Sequence, residues 1–218
     1  MEQSTRPIER GTPNFTGPCE GSGLVFPNNS RKDSSKALWI LSATRGITLG
    51  EPAIFAQRRK LNEATSALAD ATSIDRLVDI LCASGRSIAA SDGVTVIRRE
   101  GNQVAYIAED ALAPLWTGKR FAIEACISGI AIVQNRPILI ADIYADDRVP
   151  HAAYRPTFVR SMAMYPIGLV APVMAVGAYW RDPREIDPGT AALLAALARM
   201  AGTALSRIGR PDAKLSVG

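Results

Sequence analysis

At residues 141–167 the chain reads ADIYADDRVPHAAYRPTFVRSMAMYPI, a polar, irregular, aromatic-bearing stretch that runs into an apolar segment. PILI at 137–140 and MAMYPI at 162–167 have the length and turn-flanked setting of buried strands. A connection of roughly 20 residues between two core strands is longer than compact domains carry without a use, so it reads as a loop covering a pocket.

The segments on either side supply the rest of a domain. Downstream, 168–172 (GLVAP) reads as a turn and 173–180 (VMAVGAYW) as a strand, giving a hairpin and hence an antiparallel sheet. Asp187 is then an N-cap with Pro188 at the first helical position. Leu193, Leu194, Leu197, Met200, Ala201, Ala204, Leu205 and Ile208 fall on one helical face, which Gly209 and Pro211 terminate. Ala191, Ala192, Ala195, Ala196, Ala198 and Gly202 beside that stripe allow close approach of another helix, from this chain or a second copy. Upstream, EACISGIAIVQN (124–135) predicts a short helix capped by Cys126 or Ser128, before Pro137 opens the next strand. Still earlier, VTVI (94–97), a turn at Glu100, Gly101 and Asn102, and a return over 103–108 predict a second hairpin. Before it a helical region starts near Glu51 and resumes after a cap at Thr72 or Ser73. Ile74, Leu77, Val78, Leu81, Cys82, Gly85, Ile88 and Ala89 form its buried face, and Ser91, Asp92 and Gly93 end it. The predicted fold class is α+β: a central antiparallel sheet, the N-terminal helices and the C-terminal helix packed on one face, and the long loop covering the other.

Composition narrows the function. Of 218 residues, 47% are hydrophobic and 21% charged, which suits a globular domain. The net charge of +4 is scattered among acids and gathers on no one face, which argues against nucleic-acid binding. Cys19, Cys82 and Cys126 lie at wide spacing and His151 is the single histidine, so neither a disulfide framework nor a metal site is expected. Residues 1–50 are rich in proline and glycine and read as a flexible extension, with ALWIL at 37–41 a loosely packed turn around Trp39. Residues 51–210 are the folded domain and 211–218 a flexible tail. No run approaches the roughly 18 apolar residues of a membrane span, and the start lacks a signal-peptide core. A cytoplasmic location is therefore the expectation.

The order of elements, together with ACISGIAI, PILIADIYADDRVPHAAYRPTFVRSMAMYPI and VGAYW, resembles the GAF domain, in particular the sensory modules ahead of the kinase core in bacterial two-component histidine kinases. The resemblance covers about residues 60–208. It implies a cytoplasmic regulatory domain that binds a small molecule or dimerises and transmits the result through its first and last helices. Three variants of the fold can be tested against the letters. Covalent bilin attachment asks for a cysteine in the long loop, and this loop has none. Free methionine-R-sulfoxide reductases need one thiol before the short helix and another in the loop, to attack the sulfoxide and resolve the intermediate. Here those positions hold Ser128 and Tyr154, with Cys126 out of register. An Asn-Lys-x-Asp-Glu-like cyclic-nucleotide motif is not found. No kinase, cyclase or phosphodiesterase region follows the last helix, so the output is expected to come from a partner chain. The reading is a non-enzymatic signal-transduction sensor, a homodimer through its terminal helices with a possible partner kinase and no cofactor. The alternatives are a thiol-dependent free methionine-R-sulfoxide reductase and a ligand-free interaction scaffold.

Candidate ligand-binding residues, placed between sheet and loop, are Trp116, Cys126, Ser128, Tyr144, His151, Tyr154, Arg155 and Met162. Arg155 offers a bidentate clamp for a carboxylate or phosphate. Against that, Tyr144 and Tyr154 can anchor the loop by burying their rings, and Asp142, Asp146, Asp147 and Arg148 can cap and pair within it. His151 has no evident catalytic partner, Trp180 suits core or rim packing, and Cys82 a buried face. An open space under the loop favours a sensor; a filled one favours a scaffold.

Overall fold

Residues 53–209 are described by a computed structural model. The readings made for 1–52 and 210–218, including Trp39, Cys19 and the tail, lie outside the described residues.

Helix α1 (Ala53–Asp70) is followed by α2 (Ile74–Ala89). Of the two candidate caps it is Ser73 that starts α2, its hydroxyl accepting from the Arg76 N–H at 3.2 Å. The predicted face is buried through Leu77, Val78, Leu81, Gly85, Ile88 and Ala89, with Ile80 added. Its exit differs from expectation. The left-handed cap falls on Ala90 (φ 46, ψ 46), ahead of Ser91, Asp92 and Gly93. The position is held because the Ala90 carbonyl accepts from the Trp180 indole N–H at 3.0 Å.

The sheet contains β1 (Gly93–Glu100), β2 (Gln103–Ala111), β3 (Arg120–Ala122), β4 (Ile138–Ile140), β5 (Ser161–Ile167) and β6 (Met174–Trp180). Their order is β3-β2-β1-β6-β5-β4 and every adjacent pair is antiparallel. Both predicted hairpins are present. Alternation along β5 and β6 sends Ala163, Tyr165, Ile167, Val176, Ala178 and Trp180 to one core, and Met162, Met164, Ala175 and Tyr179 to another on the opposite face. One feature of the ladder is invisible to a period-2 reading. The β1–β2 register shifts so that Val96 faces Ala108 while Ile97 faces Tyr106, leaving Ile107 as a bulge. The extra residue keeps Ile107 and Ala108 against the helix-side core while turning Val104 and Tyr106 toward the loop side.

The helix side holds α1, α2 and the last helix, α5 (Pro188–Ile208). The Asp187 carboxylate accepts from the Thr190 N–H at 2.9 Å and Pro188 begins the helix, as predicted. Its end, at Gly209, is right-handed (φ −78), so no left-handed cap is used. Among the described residues α5 is the one helix long and apolar enough to cross a membrane by length and composition, which departs from the expectation that no segment qualifies. Its apolar face, Leu193, Leu194, Leu197, Ala198, Ala201 and Ala204, is buried in the helix-side core. Near its end the Arg207 guanidinium donates to the carbonyls of Leu68 (3.1 Å), Ala71 (2.6 Å) and Ala69, covering the C-terminus of α1.

The other face carries the short helix α3 (Ile127–Gln134) as well as the loop, so the helices are divided between the two faces. The capping expectation for α3 is corrected. Cys126 occupies the cap position but makes no side-chain cap bond, and Ser128 is buried inside the first turn. Gly129 is required there: a Cβ would lie 1.8 Å from the Ile123 carbonyl oxygen. The long loop is itself structured, by a 3-10 turn at Ile143–Ala145 and a single helical turn, α4 (His151–Tyr154). Asp142 accepts from the Tyr144 N–H at 3.0 Å, Ile143 N–H donates to Arg160 O at 2.9 Å, and the Thr157 hydroxyl donates to Tyr154 O at 2.7 Å. Its backbone polar groups thus find partners locally, which lets an irregular segment cover a core.

Candidate functional site

Six elements converge between sheet and loop. The β2 bulge turns Tyr106 inward and β6 supplies Tyr179. A strap at 112–119, joining β2 to β3, brings Trp116, and the start of α3 brings Cys126 and Ser128. The loop helix α4 adds Tyr154, and β5 adds Met162. Trp116 is 3% exposed and its indole meets three rings edge-on: Tyr154 at 4.8 Å, Tyr106 at 5.4 Å and Tyr179 at 5.5 Å. Phe121 meets Tyr106 at 5.5 Å. Such geometry places the positive edge of one ring on the negative face of the next, at about 0.5–1.5 kcal/mol per pair beyond burial.

Two sets of hydroxyls sit within this apolar cluster. Thr95 Oγ1 and Tyr179 Oη are 2.9 Å apart; Tyr106 Oη lies 3.2 Å from Ser128 Oγ, which lies 3.4 Å from Cys126 Sγ. Tyr154 Oη donates to Met162 Sδ at 3.9 Å. Each buried polar group therefore has a partner within the cluster. All members are neutral: burial pushes the Tyr106, Tyr154 and Tyr179 phenols and the Cys126 thiol up. The cavity left among Tyr106, Trp116, Phe121, Cys126, Pro150, Ala153 and Tyr154 is ≈ 10 Å³. That is at the lower limit for a single water, so the space under the loop is filled by side chains.

Trp116 is held from two sides. Its indole N–H donates to Ala153 O at 3.2 Å. Its backbone belongs to a nest around the Glu109 carboxylate, which accepts N–H bonds from Leu115 (2.9 Å), Trp116 (2.9 Å) and Thr117 (3.0 Å). Burial works to raise the Glu109 carboxyl, but the N–H donors of Leu115, Thr117 and Trp116 and the Thr117 hydroxyl outweigh it, so the carboxyl sits below its ordinary range.

The outward face of the loop holds a second group. Tyr144 is 40% exposed, with the His151 ring 5.4 Å away and the Arg160 guanidinium 5.2 Å over its face. His151 Nε2 lies 3.3 Å from Asp146 O, and the Asp146 carboxylate pairs with Arg148 at 2.6 Å. Arg148 holds the Asp146 carboxyl below its ordinary range. The anchoring and pairing readings for Asp142, Asp146 and Tyr154 therefore describe the loop well. Arg155 is exposed and outside the cavity lining.

Of the eight predicted residues, Trp116, Cys126, Ser128, Tyr154 and Met162 meet in one cluster, Tyr144 and His151 meet each other on the outer surface, and Arg155 joins neither. Sequence reasoning missed Tyr106, Phe121, Tyr179 and Glu109. Alternation with Val104 could have flagged Tyr106, whereas nothing local marks Glu109. The two described thiols lie on opposite sides of the sheet: Cys126 in the aromatic cluster, Cys82 against the helix-side core. Burial, reinforced by Asp110 and Asp79, pushes the Cys82 thiol up to about 11. Among the described residues no group of three or more His, Cys, Asp or Glu side chains could hold a metal ion.

A family model described as GAF domain matches residues 71–206. No curated protein matches the sequence. Among solved structures, the GAF domain of a phosphoenolpyruvate-protein phosphotransferase from Coxiella burnetii superposes with a TM-score of 0.62 at 13% identity, covering 72% of this chain and 96% of that one. The free methionine-R-sulfoxide reductase from Neisseria meningitidis, solved in complex with its substrate, gives a TM-score of 0.61 at 15% identity over 74% of this chain and 94% of its own. A methyl-accepting chemotaxis protein fragment gives 0.57 at 15% identity, over 66% and 96%. At these identities the likeness is one of fold, which hosts both sensors and an enzyme.

Proposed function

The chain belongs to the GAF domain family, and from that premise we propose that it is a non-enzymatic regulatory module of signal transduction. It senses a small molecule beneath its loop, pairs with a second copy through its terminal helices, and modulates a partner chain such as a histidine kinase in the cytoplasm. The observation that carries this reading is the neutral aromatic and hydroxyl cluster around Trp116, Tyr106, Tyr154 and Tyr179. Covalent catalysis asks for a nucleophile activated by a base within hydrogen-bond reach. The one thiol on the cavity, Cys126, has the Ser128 hydroxyl and the Ala122 and Ile123 carbonyls as neighbours, and burial raises its pKa, the opposite of activation. The filled space beneath the loop by itself favours the ligand-free interaction scaffold, so the sensory reading requires one of the filling side chains to give way to the ligand. For pairing, α1 and α5 pack side by side and Phe55 on α1 is 51% exposed.

The second reading, a thiol-dependent reductase of free methionine-R-sulfoxide, is favoured by the presence of Cys126 on the cavity and by the fold shared with the Neisseria enzyme. Turnover of free methionine-R-sulfoxide by the full chain separates the two. We expect none above background. Turnover that Cys126→Ser abolishes would overturn the regulatory reading. Sedimentation of the full chain tests the pairing: a monomer at every concentration removes it.

A further inference from the structure

Trp116 fills its own domain's pocket from a segment outside the sheet. In the strap at 112–119 only Leu115 and Trp116 are buried, and the other six residues are exposed. The Glu109 carboxylate ties the strap's backbone to the end of β2 through three N–H bonds, which open when the strap moves outward. Gly118, at φ +84, turns the chain toward β3, its N–H donating to Tyr106 O at 2.8 Å while Lys119 O accepts from the Tyr106 N–H at 3.0 Å, so this end of the strap stays fixed as the part before it moves. Withdrawing the indole breaks a single side-chain hydrogen bond, to Ala153 O, and three ring contacts. It leaves an indole-shaped space lined by Tyr106, Phe121, Cys126, Ala153 and Tyr154, with hydroxyls and a thiol at one edge.

We propose that Trp116 is a built-in occupant of this site, and that the free ligand is a small, uncharged, planar aromatic molecule that enters as Trp116 leaves. The proposal rests on the sensory reading above and names its ligand class and its switch. Charge is excluded by the lining, which offers no ion to pair with a buried carboxylate or ammonium. Planarity follows from the edge-on ring contacts, which an incoming aromatic reproduces one for one. Exchange couples binding to the strap: ligand in means indole out, with Leu115 carried toward solvent and the strap's N–H bonds to Glu109 opened. A tethered occupant also lowers apparent affinity, since only the fraction of molecules with the indole withdrawn can bind.

The test uses the full chain and indole as the probe. Calorimetric titration compares the wild type with Trp116→Ala and Trp116→Phe, and hydrogen exchange follows residues 112–119 with and without indole. We expect Trp116→Ala to bind indole at least about tenfold more tightly than the wild type, Trp116→Phe to fall between, and indole to speed exchange in the wild-type strap. Indole-3-acetate, the same ring with a carboxylate, should bind at least about tenfold more weakly than indole. Equal affinity of the wild type and a folded Trp116→Ala overturns the proposal, as does indole binding that leaves strap exchange unchanged. If Trp116→Ala does not fold, the wild-type exchange result decides alone. A polar metabolite that protects residues 141–160 while Trp116 stays buried would sink this proposal and leave the sensory reading standing.

Discussion

Removing the Glu109 carboxylate should loosen the strap that carries Trp116, and the size of the effect can be worked from its bonds. One oxygen accepts from Leu115, the other from both Trp116 and Thr117, at 2.9, 2.9 and 3.0 Å. A net intramolecular hydrogen bond contributes about 1 kcal/mol, and one to a charged group somewhat more. Thr117 is exposed, so water replaces its bond at small cost, while the Leu115 and Trp116 amides lie beside buried side chains. Glu109→Ala should therefore destabilise the domain by about 2–3 kcal/mol. Glu109→Gln keeps one acceptor oxygen, enough for two of the three donors, and turns an NH₂ toward the third; about 1–1.5 kcal/mol is expected. Because the folded carboxyl lies below its ordinary range, its contribution is present above the unfolded pKa of about 4.5 and disappears as pH falls through the folded value. The gap between wild type and Glu109→Gln should accordingly close under acid. Urea denaturation at pH 7 and at pH 3, followed by tryptophan fluorescence, measures both. A Glu109→Ala protein within 0.5 kcal/mol of wild type at pH 7, with Trp116 still buried, would refute the reasoning; that threshold is about half of one bond.

Three further outcomes follow from local geometry. Gly129→Ala sets a Cβ 1.8 Å from the Ile123 oxygen and 2.6 Å from its carbonyl carbon, contacts with backbone that no rotamer relieves. About 3 kcal/mol of destabilisation is expected, read as a drop in urea midpoint, and a midpoint matching wild type would contradict it. Ala90→Gly relieves a left-handed residue at an exposed position and should add about 0.5–1 kcal/mol, visible as a higher Tm. Arg207→Ala frees the terminal carbonyls of α1 and withdraws a cation from that helix end; a loss of about 1–3 kcal/mol is expected, with faster amide exchange at the C-terminal end of α1.

Much of the fold is legible because its signals are local. Alternation in 162–167 and 173–180, the cap residues Ser73 and Asp187, and the apolar stripe of α5 each involve residues within one element, where a period of 2 or 3.6 fixes which side is buried. The same logic placed the loop between two strands. It could not assign α3 to the loop face, because its residues are apolar all round and carry no preferred side. Nor could it find the left-handed cap at Ala90, where a hydrogen bond from Trp180, ninety positions away in the chain, holds the conformation that glycine usually supplies.

The loop at 141–167 shows where that boundary lies. By itself the sequence determined that this segment covers one face of an antiparallel sheet and carries no cysteine, and it grouped Trp116, Cys126, Ser128, Tyr144, His151, Tyr154, Arg155 and Met162 without separating the five that meet from the three that do not. Only the tertiary structure decided that the space beneath is occupied and by what. The Trp116 indole reaches Ala153 across 37 positions, the bulge at Ile107 turns Tyr106 inward, and a glutamate from β2 organises the strap. Each depends on which surfaces meet when the sheet closes against the loop, and a one-residue bulge or a buried acceptor leaves no periodic trace in the chain that folds around it.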